Sequence, residues 1–280
     1  MKPLLFLLAL WIGSAHAACL SDAEVKALMD AYTARQPAAN PEAQSVTDGE
    51  CSRAKLLKHF DAQFGAPVGY KAGLTNPAVQ KRFNHDAPVW GALYAPMLLK
   101  SGAVVEAQFG ARPLFEADLL VRISSAAVNQ ARTVDEVLAS IDQVIPFIEL
   151  PDLVVQAPPK LDGPAISAIN VGARLGVMGT PIAVQRSAEF SDALRYMVTV
   201  VKADGAEVDR GKGSDVLEHP LNAVVWLVKD LAREGRALKP GDLISLGSFS
   251  KLLPPKPGMA VEVQYQGLPG NPVVNVSFKQ

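Results

Sequence analysis

The stretch "RPLFEADLLVRISS", residues 112–125, decides how this chain is read. From Phe115 to Ile123 it is apolar and β-branched enough to form a sheet element. Glu116 and Asp118 nevertheless stand inside it, two residues apart. Side chains at i and i+2 of a strand leave the same face, so both carboxylates point into one space. Their mutual repulsion requires a proton, a cationic side chain or a metal ion between them.

A second apolar run, "IPFIELPD" (145–152), holds Glu149 with no other charge before Asp152. A lone carboxylate in a buried strand is costly unless paired. Three such acids on neighbouring strands would offer hard oxygen ligands suited to Mg²⁺ or Mn²⁺. The spacing equally allows Glu116 to pair with Arg112 or Arg122, Asp118 to face solvent, and Glu149 to act as a cap.

The rest of the chain sets these runs in an α+β frame. Ser21-Asp-Ala-Glu24 is a capping box followed by Val25, Leu28, Met29 and Tyr32 at helical spacing. A Pro/Ala/Asn-rich connector leads to a second helix near 50–63. After Gly65 the pattern turns to short apolar runs between Gly and Pro, including "PVGYKAGLT" and "AVVEAQF". Thr133-Val-Asp-Glu136 predicts a helix to about Gln143, and Asp204-Gly205 a tight hairpin turn. "LNAVVWLVKDLAREG", after Pro220, predicts an amphipathic helix ended by Gly235. Strands outnumber helices beyond residue 65 and are mostly joined by turns, against a doubly wound sheet. The organisation expected is a helical portion over 18–64 and a β-rich catalytic domain over 65–280.

With 280 residues, 49% hydrophobic and 20% charged, the chain can bury a substantial core. A net charge of −1 without any basic run argues against nucleic acid as a partner. "MKPLLFLLALWIGSAHA" (1–17) has a basic start, an apolar stretch too short to span a bilayer and a small-x-small end. It reads as a cleaved secretory signal, predicting a periplasmic protein with no membrane attachment after cleavage. In that oxidising setting Cys19 and Cys51 are expected to pair as a disulfide.

Four segments in register, "GYKAGLT" (69–75), "EADLLVRI" (116–123), "IPFIELPD" and "EHPLN" (218–222), resemble the fumarylacetoacetate hydrolase family. The closer resemblance is to its 2-keto-4-pentenoate hydratase branch, over about 65–262. It implies a mixed β-roll with a helical N-terminal portion, a homo-oligomer, and a divalent ion, Mg²⁺ or Mn²⁺, held by Glu116, Asp118 and Glu149. Lys71 takes the position of the family's active-site lysine. His85, Asp86, His219 and Ser248 are the substrate-binding candidates it suggests, with Asn222 beside them.

The implied activity is a metal-dependent hydratase, a lyase acting on a small 2-hydroxy-2,4-dienoate or 2-oxo acid. Decarboxylation of an oxalocrotonate-like diacid and C–C hydrolysis of an acylpyruvate are sibling reactions on this scaffold. A non-catalytic periplasmic binder of oxo acids is a further reading. It gains weight from departures at Val89, Ile169 and Glu218, where the family commonly carries Asp, Asp and Gly; Leu246 stands where the family commonly carries Thr.

Overall fold

The computed structural model describes residues 19–43 and 45–279. The expected signal segment, 1–17, lies outside the described residues. Helices α1 (Asp22–Ala34) and α2 (Val46–Phe64) come first, each opened by a reciprocal capping box, Ser21 with Glu24 and Ser45 with Asp48. The Ser45 cap starts α2 earlier than the apolar pattern alone suggests. Cys19 and Cys51 are joined, with their Cα atoms 5.6 Å apart, tying the start of α1 to α2.

Thirteen strands follow among the described residues: β1 (Gly69–Gly73), β2 (Val89–Leu93), β3 (Leu98–Lys100), β4 (Ala103–Val105), β5 (Glu116–Ile123), β6 (Ile141–Leu150), β7 (Leu175–Met178), β8 (Ile182–Ala183), β9 (Val198–Ala203), β10 (Ala206–Lys212), β11 (Leu243–Ser245), β12 (Ala260–Gln266) and β13 (Val273–Phe278). Between them lie α3 (Pro77–Arg82), α4 (Val134–Ala139), α5 (Gly163–Ala168), α6 (Ala188–Tyr196) and α7 (Asn222–Arg233). The helix expected to reach Gln143 stops at Ala139. The β-branched residues Ile141, Val144 and Ile145 are buried in β6 instead, where they pack better than on a helix.

The strands form two mixed sheets. The larger runs β2-β1-β11-β5-β6-β7-β3, with β8 on β6, and the smaller β10-β9-β12-β13-β4. The pairs β1/β11, β3/β7 and β4/β13 are parallel and the remainder antiparallel. Both faces of β5 and β6 are covered, which explains their nearly continuous apolar text. Tyr265 on β12 staples the sheets together: its buried hydroxyl lies 2.7 Å from the Asp118 carbonyl and 2.6 Å from the Phe147 carbonyl. It also accepts the Phe147 N–H at 3.0 Å. The arrangement is the α+β roll expected, with N-terminal helices on a curled mixed sheet.

Candidate metal and substrate site

Register places the acidic residues. Glu116 on β5 and Glu149 on β6 are direct cross-strand partners, and Asp118 pairs with Phe147. Lys71 on β1 pairs with Gly91 of β2 on one side and Ser245 of β11 on the other; Ser245 in turn pairs with Leu120 of β5. Three strands, β1, β5 and β6, with β11 between the first two, therefore bring one lysine and three carboxylates to the same region, although these strands are widely separated in sequence.

All four side chains are buried, Asp118 completely. Lys71 Nζ donates to the Glu149 carboxylate and, at 2.9 Å, to the Val171 carbonyl. Asp118 accepts from Ser245 Oγ at 2.5 Å and from the backbone N–H groups of Leu246 (3.2 Å) and Gly247 (3.1 Å). Burial, then the charge of Glu149, holds the Glu116 and Asp118 carboxyls well above the ordinary carboxylate range. The arginines considered from the sequence are engaged elsewhere: Arg122 pairs with Asp142, and Arg112 donates to the Val155 and Gln156 carbonyls.

With all three carboxylates ionised, a single ammonium would leave an excess of negative charge, and a divalent cation is the species that this donor set of hard oxygens suits. Among the described residues, the acidic trio whose oxygens all lie within 4.8 Å of one another is a different one: Glu50, Asp230 and Glu234. Guanidiniums already neutralise that trio. Arg233 reaches Glu50 at 2.5 Å and Asp230 at 2.7 Å, and Arg53 holds Glu234. Glu116, Asp118 and Glu149 are less tightly gathered, because Lys71 holds Glu149 and β11 holds Asp118.

A cavity of about 50 Å³ opens beside this cluster. Glu116, Glu149, Lys71, Thr75 and Ser248 contribute its polar wall, and Leu74, Phe83, Leu153, Ile166 and Val171 are among its apolar lining. The Ser248 hydroxyl donates to the Ser250 carbonyl. Asn170, Val171 and Gly172 form a left-handed turn at φ 55°, 53° and 66°, and Leu74 has φ 53°. Such a conformation is strained for β-branched Val171. Its carbonyl is one of the two partners of the Lys71 ammonium. Asn170 fixes this turn by bonding the Ala92 N–H (2.7 Å) and carbonyl (3.0 Å). Gly91 permits that approach, since a Cβ there would lie 2.5 Å from the Asn170 carbonyl oxygen.

The remaining sequence candidates fall outside the cavity lining. His85 and Asp86 border a separate surface hollow with Gln80 and Lys81. His219 sits at the junction before α7: its Nε2 lies 3.2 Å from Ser191 Oγ and its Nδ1 accepts the Leu221 N–H. Asn222 bonds the Leu217 carbonyl. Sequence reasoning did not single out Asn170 for this role, nor Thr75 beyond its place in "GYKAGLT". Neither position carries a charge that would mark it in a linear reading.

No family model matches the chain. It is 30% identical over 202 residues to a 4-oxalocrotonate decarboxylase of Pseudomonas putida, covering 72% of this chain and 74% of that protein. It is 31% identical over 204 residues to the TodF product hydratase of Pseudomonas putida strain F1, covering 72% and 73%. The solved 4-oxalocrotonate decarboxylase from Pseudomonas putida G7, complexed with magnesium and adipate, superposes with a TM-score of 0.80 at 25% identity, covering 92% of this chain and 96% of that one. Relatives of both activities thus share most of their length with this sequence, and it belongs to the fumarylacetoacetate hydrolase family, in the branch of the 2-keto-4-pentenoate hydratases and 4-oxalocrotonate decarboxylases.

Proposed function

We propose that the protein is a divalent-metal-dependent hydratase of a short 2-hydroxy-2,4-dienoate, the enol form of a 2-oxo acid. The observation that carries this reading is the burial of three carboxylates around one lysine at a small, largely apolar cavity. Glu116, Asp118 and Glu149 would hold Mg²⁺ or Mn²⁺, in keeping with the magnesium of the related decarboxylase structure. When bound, the ion supplies Lewis-acid stabilisation of negative charge on the 2-oxo group. Lys71, a donor-only ammonium, positions the substrate carboxylate and holds a proton at Nζ. The apolar wall accepts the hydrocarbon tail and keeps bulk water from the reactive enol. Net addition of water places a proton on one carbon of the double bond and a hydroxyl group on the other.

A hydratase is favoured over decarboxylation of a diacid because Lys71 is the one cationic side chain among the described lining residues. A second, distal carboxylate would be buried there without a partner. The joined Cys19 and Cys51 support an oxidising compartment, in line with export to the periplasm. The test is metal analysis of the mature protein together with turnover assays that separate hydrated product from released CO₂. Glu116→Ala is expected to lose both metal and turnover while keeping its circular dichroism; retention of both would overturn the assignment.

A further inference from the structure

Thr75 follows Leu74 in the segment that carries Lys71, and it lines the cavity beside Glu116, Glu149 and Ser248. It is 2% exposed. Its backbone carbonyl accepts the Leu217 N–H at 3.1 Å, but its hydroxyl has no hydrogen-bond partner among the described residues. The other neutral polar side chains of the wall differ. Asn76 caps α3 through Ala78, and the Ser248 hydroxyl donates to the Ser250 carbonyl. A buried hydroxyl left unpaired is destabilising, a penalty that valine of nearly the same shape would not carry.

Gly247 borders the same hydroxyl. A Cβ at Gly247 would lie 1.9 Å from Thr75 Oγ1, so any larger residue there would displace the hydroxyl. The Gly247 N–H bonds Asp118, and both Gly247 and Thr75 face the cavity. Thr75 and Gly247 thus share the cavity wall with Glu116 and Glu149, and a bound 2-oxo acid held at that acidic end would lie next to them.

We infer that Thr75 is a substrate-binding residue whose hydroxyl hydrogen-bonds an oxygen of the bound 2-oxo acid or its enol. This rests on the function proposed above. A site built to bond such an oxygen also discriminates against analogues lacking it.

The experiment compares wild type, Thr75→Val and Thr75→Ser as full-length mature proteins loaded with Mn²⁺. Pyruvate affinity is read by calorimetry, dienoate turnover by kcat and KM, and stability by thermal melting. Thr75→Val is expected to bind pyruvate about tenfold more weakly and to raise KM similarly, while melting no lower than wild type. Thr75→Ser is expected to restore binding to near the wild-type value. Unchanged pyruvate affinity in Thr75→Val overturns the inference, even if kcat falls, because the hydroxyl would then serve something other than the substrate. A clearly lower melting temperature in Thr75→Val also overturns it, because the hydroxyl would then have an internal partner. Failure of wild type to bind pyruvate overturns the functional reading, and this inference with it.

Discussion

The side-chain amide of Asn170 grips Ala92 at both its N–H and its carbonyl, as a neighbouring strand would. This bond ties a left-handed turn to the edge strand β2, and through β2 to the strand carrying Lys71. Asn170→Ala leaves two backbone groups of Ala92 unpaired in a fully buried place. We expect a loss of about 2–3 kcal/mol in urea unfolding. Turnover should fall further than stability explains, because the Val171 carbonyl no longer has a fixed position against the lysine. A variant as active and as stable as wild type would remove Asn170 from the site's support.

Glu218 occupies φ 65° just before His219, at a position where the family resemblance places glycine. It is exposed, and no hydrogen bond or ion pair of its side chain is present among the described contacts. A left-handed backbone costs a residue with a Cβ about 1–2 kcal/mol, only partly offset by the greater chain entropy of unfolded glycine. Glu218→Gly is therefore expected to raise stability by roughly 0.5–1 kcal/mol, seen as a higher denaturation midpoint with an unchanged slope. A lower midpoint would mean that Glu218 makes contacts beyond those described.

Burial lowers the His219 imidazole below its ordinary value of 6.5, against the opposing effect of its bond to Ser191. The unfolded chain then binds more protons than the folded one below pH 6.5. Its contribution to stability is thus complete above that pH and is lost as the pH falls through the window beneath it. His219→Asn retains an acceptor for the Leu221 N–H but cannot titrate. Melting curves between pH 7.5 and about 5 should show wild type losing stability faster than this variant. Parallel curves would rule out a buried neutral histidine.

The Cys19–Cys51 bond closes a loop with a sequence separation of 32 that contains the whole of α1. Reduction should lower stability by roughly 3–4 kcal/mol through loop-closure entropy. The sheets and the acidic cluster lie outside that loop, so metal binding should persist in the reduced protein at moderate temperature. Equal melting temperatures with and without a thiol reductant would show that the bond adds nothing.

Much of this architecture was legible because local chemistry and tertiary placement agree. Ser21 with Glu24 and Thr133 with Glu136 cap helices as their spacing predicts. Asp204-Gly205 turns a hairpin, and the run read as a sheet element from Phe115 to Ile123 is the strand Glu116–Ile123. Less was legible where function depends on residues that meet only through register. The pairing of Glu116 with Glu149, and of Lys71 with Ser245, follows from strand order, which no periodicity encodes. Helix α6 was missed because Ala188–Tyr196 buries only Phe190 and Leu194. Asn170 reads as a loop residue, and the bonds that give it weight are made to a backbone 78 positions away.

The parallel pairing of β1 with β11 has a temporal side. Ser245 and the N–H groups that bond Asp118 lie 127 to 129 residues after it in the chain. Until residues 243–245 insert between β1 and β5, Asp118 lacks these partners and is best left in water. Closure of the acidic centre therefore awaits β11, and regain of ligand affinity on refolding should track insertion of this short strand rather than formation of the helices.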